Sequence, residues 1–436
     1  MPRVLRSPRL SAWLERAPGP VFAAFAGSVA FATYFCMYAF RKPFAAASYA
    51  GLHLWGTGVE LKTAFVVSQI IGYTISKFVG IKVCSEISAE GRAAALLGLL
   101  GVAEGALFLF AILPPDWRVF AMLLNGLPLG MVWGLVVAYL EGRRTSELLL
   151  AGLSCSFIVS SGVVKDVGSW LMSTWSVSES WMPFTTGLLF APLFLLSVIL
   201  LDHLPRPSEA DVVARTERAP MDAGARHHFL RQFFPGLAAL IVVYFFLTAY
   251  RDFRDNYGVE IFKQLGYEGK PAIFTKTELP VAFGVMASLA LLSFVKDNKR
   301  GLLGAFAIMG LGAALLGGST ILLDLGHLSG ATWMLLVGLG SYLVYVPFNS
   351  VLFDRMIAYT RVRGTAVFAI YVADALGYTG SIGLQLFKDI GNAGATRLAF
   401  FRSFTYLTSA VAVVLLTASG LYFVRWRGQT QTTGDS

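Results

Sequence analysis

Twelve times along the 436-residue chain an apolar run of about 20 residues recurs between polar loops: 20–47, 61–83, 92–113, 118–140, 147–172, 182–203, 233–257, 277–296, 302–324, 331–353, 364–387 and 400–424. A helix needs about that length to cross roughly 30 Å of hydrocarbon, and backbone in lipid must satisfy its own hydrogen bonds. The chain is therefore expected to be an all-α integral membrane protein of twelve transmembrane helices. Its composition agrees: 56% hydrophobic and 14% charged residues, against about 45–50% and about 25% in soluble domains.

Lys and Arg cluster at the termini and in every second loop: Arg3, Arg6, Arg9 and Arg16, the stretch 204–232, "KDNKRG", "TRVRG" and "RWRG". Cationic loops stay cytoplasmic, so both termini are expected inside, in a membrane of bacterial inner-membrane type. The net charge of +9 belongs to this bias and predicts no nucleic-acid partner. The basic N-terminus reads as a cytoplasmic tail and not as a cleaved signal.

The longest polar segment divides the runs six and six. The expected organisation is an N-terminal tail (1–19), a six-helix half (20–203), a cytoplasmic linker (204–232), a second half (233–424) and a C-terminal tail (425–436). The halves echo each other: "YFCMYAFR" (34–41) against "YFFLTAYR" (244–251), and "VVAYLEGRR" in the fourth run against "SVLFDRM" in the tenth. Two echoes in register with the division predict two pseudo-symmetric six-helix halves.

Residues three, four and seven apart share a helix face. Tyr34, Tyr38 and Arg41 make one stripe, and Tyr244, Thr248 and Arg251 its counterpart. Others are Gln69, Tyr73 and Lys77; Ser154, Ser161 and Lys165; Tyr342, Tyr345 and Asn349; Tyr371, Asp374 and Tyr378. Polar stripes turn away from lipid, so these faces are expected to meet in one cavity. There Arg41, Lys77, Lys165 and Arg251 outnumber Asp374 and Asp166, with Lys42 and Arg254 at the margin. A cationic surplus in low dielectric is costly when empty and is relieved by an anion. Paired guanidinium groups suit phosphate or carboxylate, with tyrosine hydroxyls as neutral donors. The expected binding set is Arg41, Arg251, Lys77, Lys165, Lys42, Tyr38, Ser161, Tyr345, Asn349 and Tyr378, with Asp374 the candidate proton carrier. Glu141 with Arg144, and Asp354 with Arg355, are candidate gating salt bridges.

Other readings stand beside these. Arg41 and Lys77 can snorkel to an interface, Lys165 can pair with a membrane acid such as Asp374 as structural glue, and Glu104 can be a packing residue. The histidines, His53, His203, His227, His228 and His327, lie in loops or at run ends. Cys36, Cys84 and Cys155 give no disulfide or metal spacing. Neither a Gly-x-Ser-x-Gly nucleophile nor a Gly-x-x-x-x-Gly-Lys phosphate loop is present. No enzyme, metal, cofactor or ATP-driven pump is expected; the expected partners are a small anion and the bilayer, and the expected state is a monomer.

Several motifs carry a resemblance. "YAFRKPF" is similar to the Tyr-x-x-Arg-Lys-x-Phe of the first helix of the organophosphate:phosphate antiporters, a branch of the major facilitator superfamily. "AFVVSQIIGYTISKF" (64–78), "NGLPLGMVWG" (125–134) and "RGTAVFAIYVADALGYTGS" (363–381) resemble that branch's second, fourth and eleventh helices. The resemblance implies the major facilitator fold and alternating access. It also implies that Arg41 and Arg251 grip a substrate phosphate, with Lys42 and Lys77 beside them. The chain departs from the branch in three places. Ser161 stands where the glycerol-phosphate members carry histidine, "RDFRDNYG" continues the seventh helix, and "GIKVCSEISAEGR" lacks the usual Asp-Arg. The functions that follow are phosphate or phosphate-ester exchange, proton-coupled transport of another anion such as a carboxylate, or ligand sensing without transport.

Overall fold

The computed structural model describes residues 7–140, 146–205, 223–270, 272–360, 366–392 and 394–425. A short amphipathic helix, α1 (Pro8–Arg16), precedes the bundle. The first half comprises α2 (Gly19–Met37), α3 (Leu61–Glu86), α4 (Arg92–Ile112), α5 (Arg118–Leu140), α6 (Ser146–Trp175) and α7 (Met182–Asp202). The second half comprises α8 (Ala223–Asn256), the short α9 (Gly258–Gln264), α10 (Ile273–Ser293), α11 (Asn298–Asp324), α12 (Gly330–Ser350), the short α13 (Leu352–Thr360), α14 (Ala366–Ile390) and α15 (Arg397–Val424). Among the described residues the chain is helical apart from one antiparallel bridge, His53 with Glu60.

Helix starts follow capping chemistry. The side chains of Asp297, Ser329 and Thr396 accept from backbone N–H groups three residues on, opening α11, α12 and α15. Pro20 in the first turn of α2 occupies a position whose N–H would be unpaired anyway. Nine helical segments are long and apolar enough to cross a membrane among the described residues. The long helices outside that set are α3, α6 and α14, three of those carrying the polar stripes.

Within the first half α2 packs on α6 and α7, and α3 on α5; within the second, α8 packs on α14 and α15, and α11 on α12. The halves meet where α6 runs along α10 and α3 along α14. Most of the polar stripes belong to these meeting helices and to α2, α8 and α12, so they face the seam between the halves.

The first apolar run is not one helix. The α-helix ends at Met37, and 3₁₀ turns follow at Tyr38–Phe40 and Pro43–Ala46. The pyrrolidine ring of Pro43 offers no N–H to the carbonyl of Ala39 and crowds it, so α-geometry cannot run through this stretch. The tenth run likewise divides into α12 and α13. Helix α8 begins at Ala223, within the segment read from sequence as linker.

Candidate functional site

Arg41 and Arg251 both lie largely inside the protein. Arg41 is 7% exposed, and its guanidinium sits 4.1 Å over the ring of Tyr73 and 5.6 Å from that of Tyr38. Its Nε has no hydrogen-bond partner, and no carboxylate among the described residues pairs with it. Arg251 sits 4.1 Å over the ring of Tyr345, and its Nη2 reaches Asp252 at 3.2 Å. Asp252 also accepts from Ser381 at 2.9 Å. Each half thus presents an arginine lying on a tyrosine face, but only the second supplies it with an acid.

Between the two stands an ion pair that crosses the halves, Lys77 with Asp374. Lys77 also lies 4.9 Å from the ring of Tyr378. Asp374 accepts from the Tyr244 hydroxyl at 2.5 Å, while the Tyr244 oxygen lies 3.1 Å from the Tyr345 hydroxyl and accepts from Asn349 at 3.3 Å. Tyr73 packs edge-on against Tyr378 across the seam, ring centres 5.5 Å apart. A continuous arc therefore runs from Arg41 through Tyr73, Lys77, Asp374, Tyr244 and Tyr345 to Arg251. Trp133 on Tyr34 and Phe157 beside Tyr342 extend its aromatic wall. Two guanidinium groups, tyrosine hydroxyls and an acid–base couple thus lie along one arc. The side chain of Tyr371 lies outside the described residues.

The remaining cations gather elsewhere. Lys165 does pair with an acid, as its structural reading expected, but the acid is Asp255 at 2.8 Å and not Asp374. Lys42 binds the other Asp255 oxygen at 2.7 Å and Asn256 at 2.9 Å, and Ser161 also donates to Asp255. One carboxylate of the second half is thus held by three groups of the first, because a buried charge requires such partners. Further contacts between the halves surround this clamp. They include Lys62 with Glu260 at 2.6 Å, Arg397 with Glu60 at 2.8 Å, and Thr63 with Tyr257 at 2.7 Å. Asp166 lies off the arc too; it accepts from the backbone N–H of Phe274 and Thr275 at the start of α10. These contacts close the halves at the end of the bundle where α2 and α8 terminate.

Other candidates fall away from the arc. Arg254 is tied inside the second half, to Glu278 at 2.8 Å and the Met334 carbonyl at 2.8 Å. Arg355 donates to Asn298 and the Lys296 carbonyl, and no direct ion pair joins it to Asp354 among the described residues. Glu141, Arg143 and Arg144 lie outside the described residues. Glu104 is turned against Gly187, both carboxyl oxygens lacking hydrogen-bond partners. The role of Asp255 was not picked out from sequence, although its place one helical turn beyond Arg251 was a usable signal. Lys62, Glu260 and Arg397 gave none, since each is a lone charge at a helix end.

The whole chain superposes on solved transporters at low identity. A D-xylose-proton symporter gives a TM-score of 0.58 at 14% identity, covering 94% of this chain and 98% of that one. A bacterial homologue of the human drug peptide transporters gives 0.61 at 13%, covering 92% and 99%. A nucleoside transporter gives 0.60 at 14%, covering 93% and 99%. The fold is therefore that of the major facilitator superfamily, twelve membrane helices in two halves. No curated protein matches the sequence. A family model described as DUF5690, a family of unknown function, matches residues 43–426, and the chain belongs to that family.

Proposed function

We propose that the protein is a secondary active transporter of a small organic anion, a phosphate ester or phosphate above all, working by alternating access. The observation that carries this reading is Arg41: a guanidinium buried in the seam between the halves with no carboxylate among the described residues to neutralise it, facing a tyrosine-lined arc that ends in a second arginine. Burying an unpaired cation costs several kcal/mol, and an anionic guest supplies the missing charge. The neighbours' names, which describe transporters of sugar, nucleoside and peptide, support transport as the function class. In this reading both termini are cytoplasmic, and the Asp255 clamp is the closed outer gate.

A second reading is favoured by the Lys77–Asp374 pair. Protonation of Asp374 frees Lys77, so a proton-coupled carrier of a carboxylate has its acid–base couple in place.

Uptake by purified protein in liposomes separates the two. Counterflow of phosphate esters into phosphate-loaded vesicles without a proton gradient is the expected result. Flux that requires the gradient selects the second reading, and ligand binding without flux in either format rejects transport.

A further inference from the structure

We infer that Gln69 and Asn125 are positioning residues, forming a two-amide bracket that holds the turn carrying Arg41 and so aims its guanidinium into the seam. In the turn after Met37, the N–H groups of Arg41 and Lys42 both go to the Tyr38 carbonyl, at 3.0 and 2.9 Å. Ala45 N–H, which a continuing helix would give to Arg41, goes to the Lys42 carbonyl at 3.1 Å. The carbonyls of Phe40 and Arg41 are therefore left without helical donors in the interior of a membrane protein, where no bulk water substitutes.

Two side-chain amides fill the gap. Asn125 Nδ2 donates to the Phe40 carbonyl at 3.0 Å, and Gln69 Nε2 to the Arg41 carbonyl at 2.8 Å. Gln69 Nε2 also donates to Asn125 Oδ1 at 2.7 Å, and Asn125 Nδ2 to the Ala103 carbonyl at 3.0 Å. Both side chains are buried, and the bracket spans α3, α5 and α4. Glycine lets α3 and α5 come close enough to build it: a Cβ on Gly126 would lie 2.9 Å from the Tyr73 nitrogen, and one on Gly72 3.1 Å from that of Leu127. One turn along α3 from Gln69, Tyr73 supplies the ring under the guanidinium. A single helix thus fixes both the backbone and the side chain of residue 41. Gln69 lies on the expected cavity stripe, but its amide is spent on backbone and not on a ligand.

Arg251, in an unbroken helix without a bracket, serves as the internal control. The test is the rate at which phenylglyoxal modifies each arginine, read by mass spectrometry on purified protein. Gln69→Met keeps the volume and removes both donated bonds; Asn125→Ser is the second variant should the first fail to fold. Modification of Arg41 is expected to rise several-fold with Arg251 unchanged, and affinity for inorganic phosphate to fall about tenfold through misplacement of the group. An unchanged Arg41 rate, or equal rises at both arginines, overturns the inference. The affinity arm rests on the anion reading proposed above, whereas the modification arm does not. If native protein fails to bind phosphate, that reading falls and the labelling rates alone decide the bracket.

Discussion

The first helices of the two halves carry nearly the same octet and fold differently. In the first half the α-helix stops at Met37 and Arg41 sits in a turn, while in the second α8 runs unbroken through Arg251 to Asn256. Aligning Arg41 with Arg251 sets Pro43 against Phe253, and of these two residues only proline disfavours a continuing helix. The acids differ as well. Arg251 is followed by Asp252 and Asp255, which serve it and the clamp, whereas Arg41 is followed by Lys42 and apolar residues. The repeat has therefore kept the cation and changed its surroundings, leaving one arginine partly compensated and the other without a carboxylate among the described residues.

The largest effect expected from exchanging the two environments is Phe253→Pro. Proline inside a helix costs about 3 kcal/mol or more. Phe253 is fully buried against Tyr257 and Phe400 as well, so its packing is lost in addition. The variant should fail to give a monodisperse peak on size exclusion in detergent. A variant that melts like the native protein would show that α8 need not be continuous.

Asp255→Asn comes next, because it strips the acid from two buried lysines. Breaking a buried ion pair costs about 3–5 kcal/mol, here charged against the closed arrangement. A cysteine placed at Thr63 should then react faster with a membrane-impermeant maleimide. An unchanged rate would mean that the surrounding pairs, Lys62–Glu260 and Arg397–Glu60, hold that end unaided.

The arginines themselves sharpen the contrast. Arg41→Ala should lower phosphate affinity by about 2 kcal/mol, the scale of a charge-assisted hydrogen bond, which is roughly 30-fold. Its melting temperature should hold or rise, since an unpaired buried charge is removed. Arg251→Ala should weaken binding less and lower the melting temperature, because Asp252 loses its cation. Isothermal titration and a thermal melt on the two variants read both quantities, and equal behaviour would erase the distinction.

The scaffold was legible in the sequence because hydropathy and helix period act locally. Twelve runs gave twelve long helices, and the spacing of Tyr73 and Lys77 put both on the arc. The cation pairings were not legible, since Lys165 meets an acid 90 positions away at Asp255, and period says nothing about which helices face each other. The end of α2 at Met37 was hidden by apolar residues that continue to Ala47. Asn125 was quoted only within a family motif; a single polar residue in an apolar run shows no stripe.

The smallest expected effect comes from Pro43→Ala, and it asks which agent maintains the break in the first half. If proline alone forces the turn, alanine restores a donor for the Ala39 carbonyl, α2 extends, and Arg41 swings away from Tyr73. The hydrogen bonds argue otherwise. Extension would take the Phe40 and Arg41 carbonyls from Asn125 and Gln69, leaving one buried N–H of each amide unpaired at about 1–3 kcal/mol each. Each recovered backbone bond is worth about 1 kcal/mol, at or below the cost of an unpaired buried N–H. The turn should therefore persist, with stability lowered by about 1 kcal/mol or less through the added freedom of the unfolded chain. Phosphate affinity in Pro43→Ala should stay close to native, whereas Pro43→Ala combined with Gln69→Met should lose it together with the protection of Arg41 from phenylglyoxal.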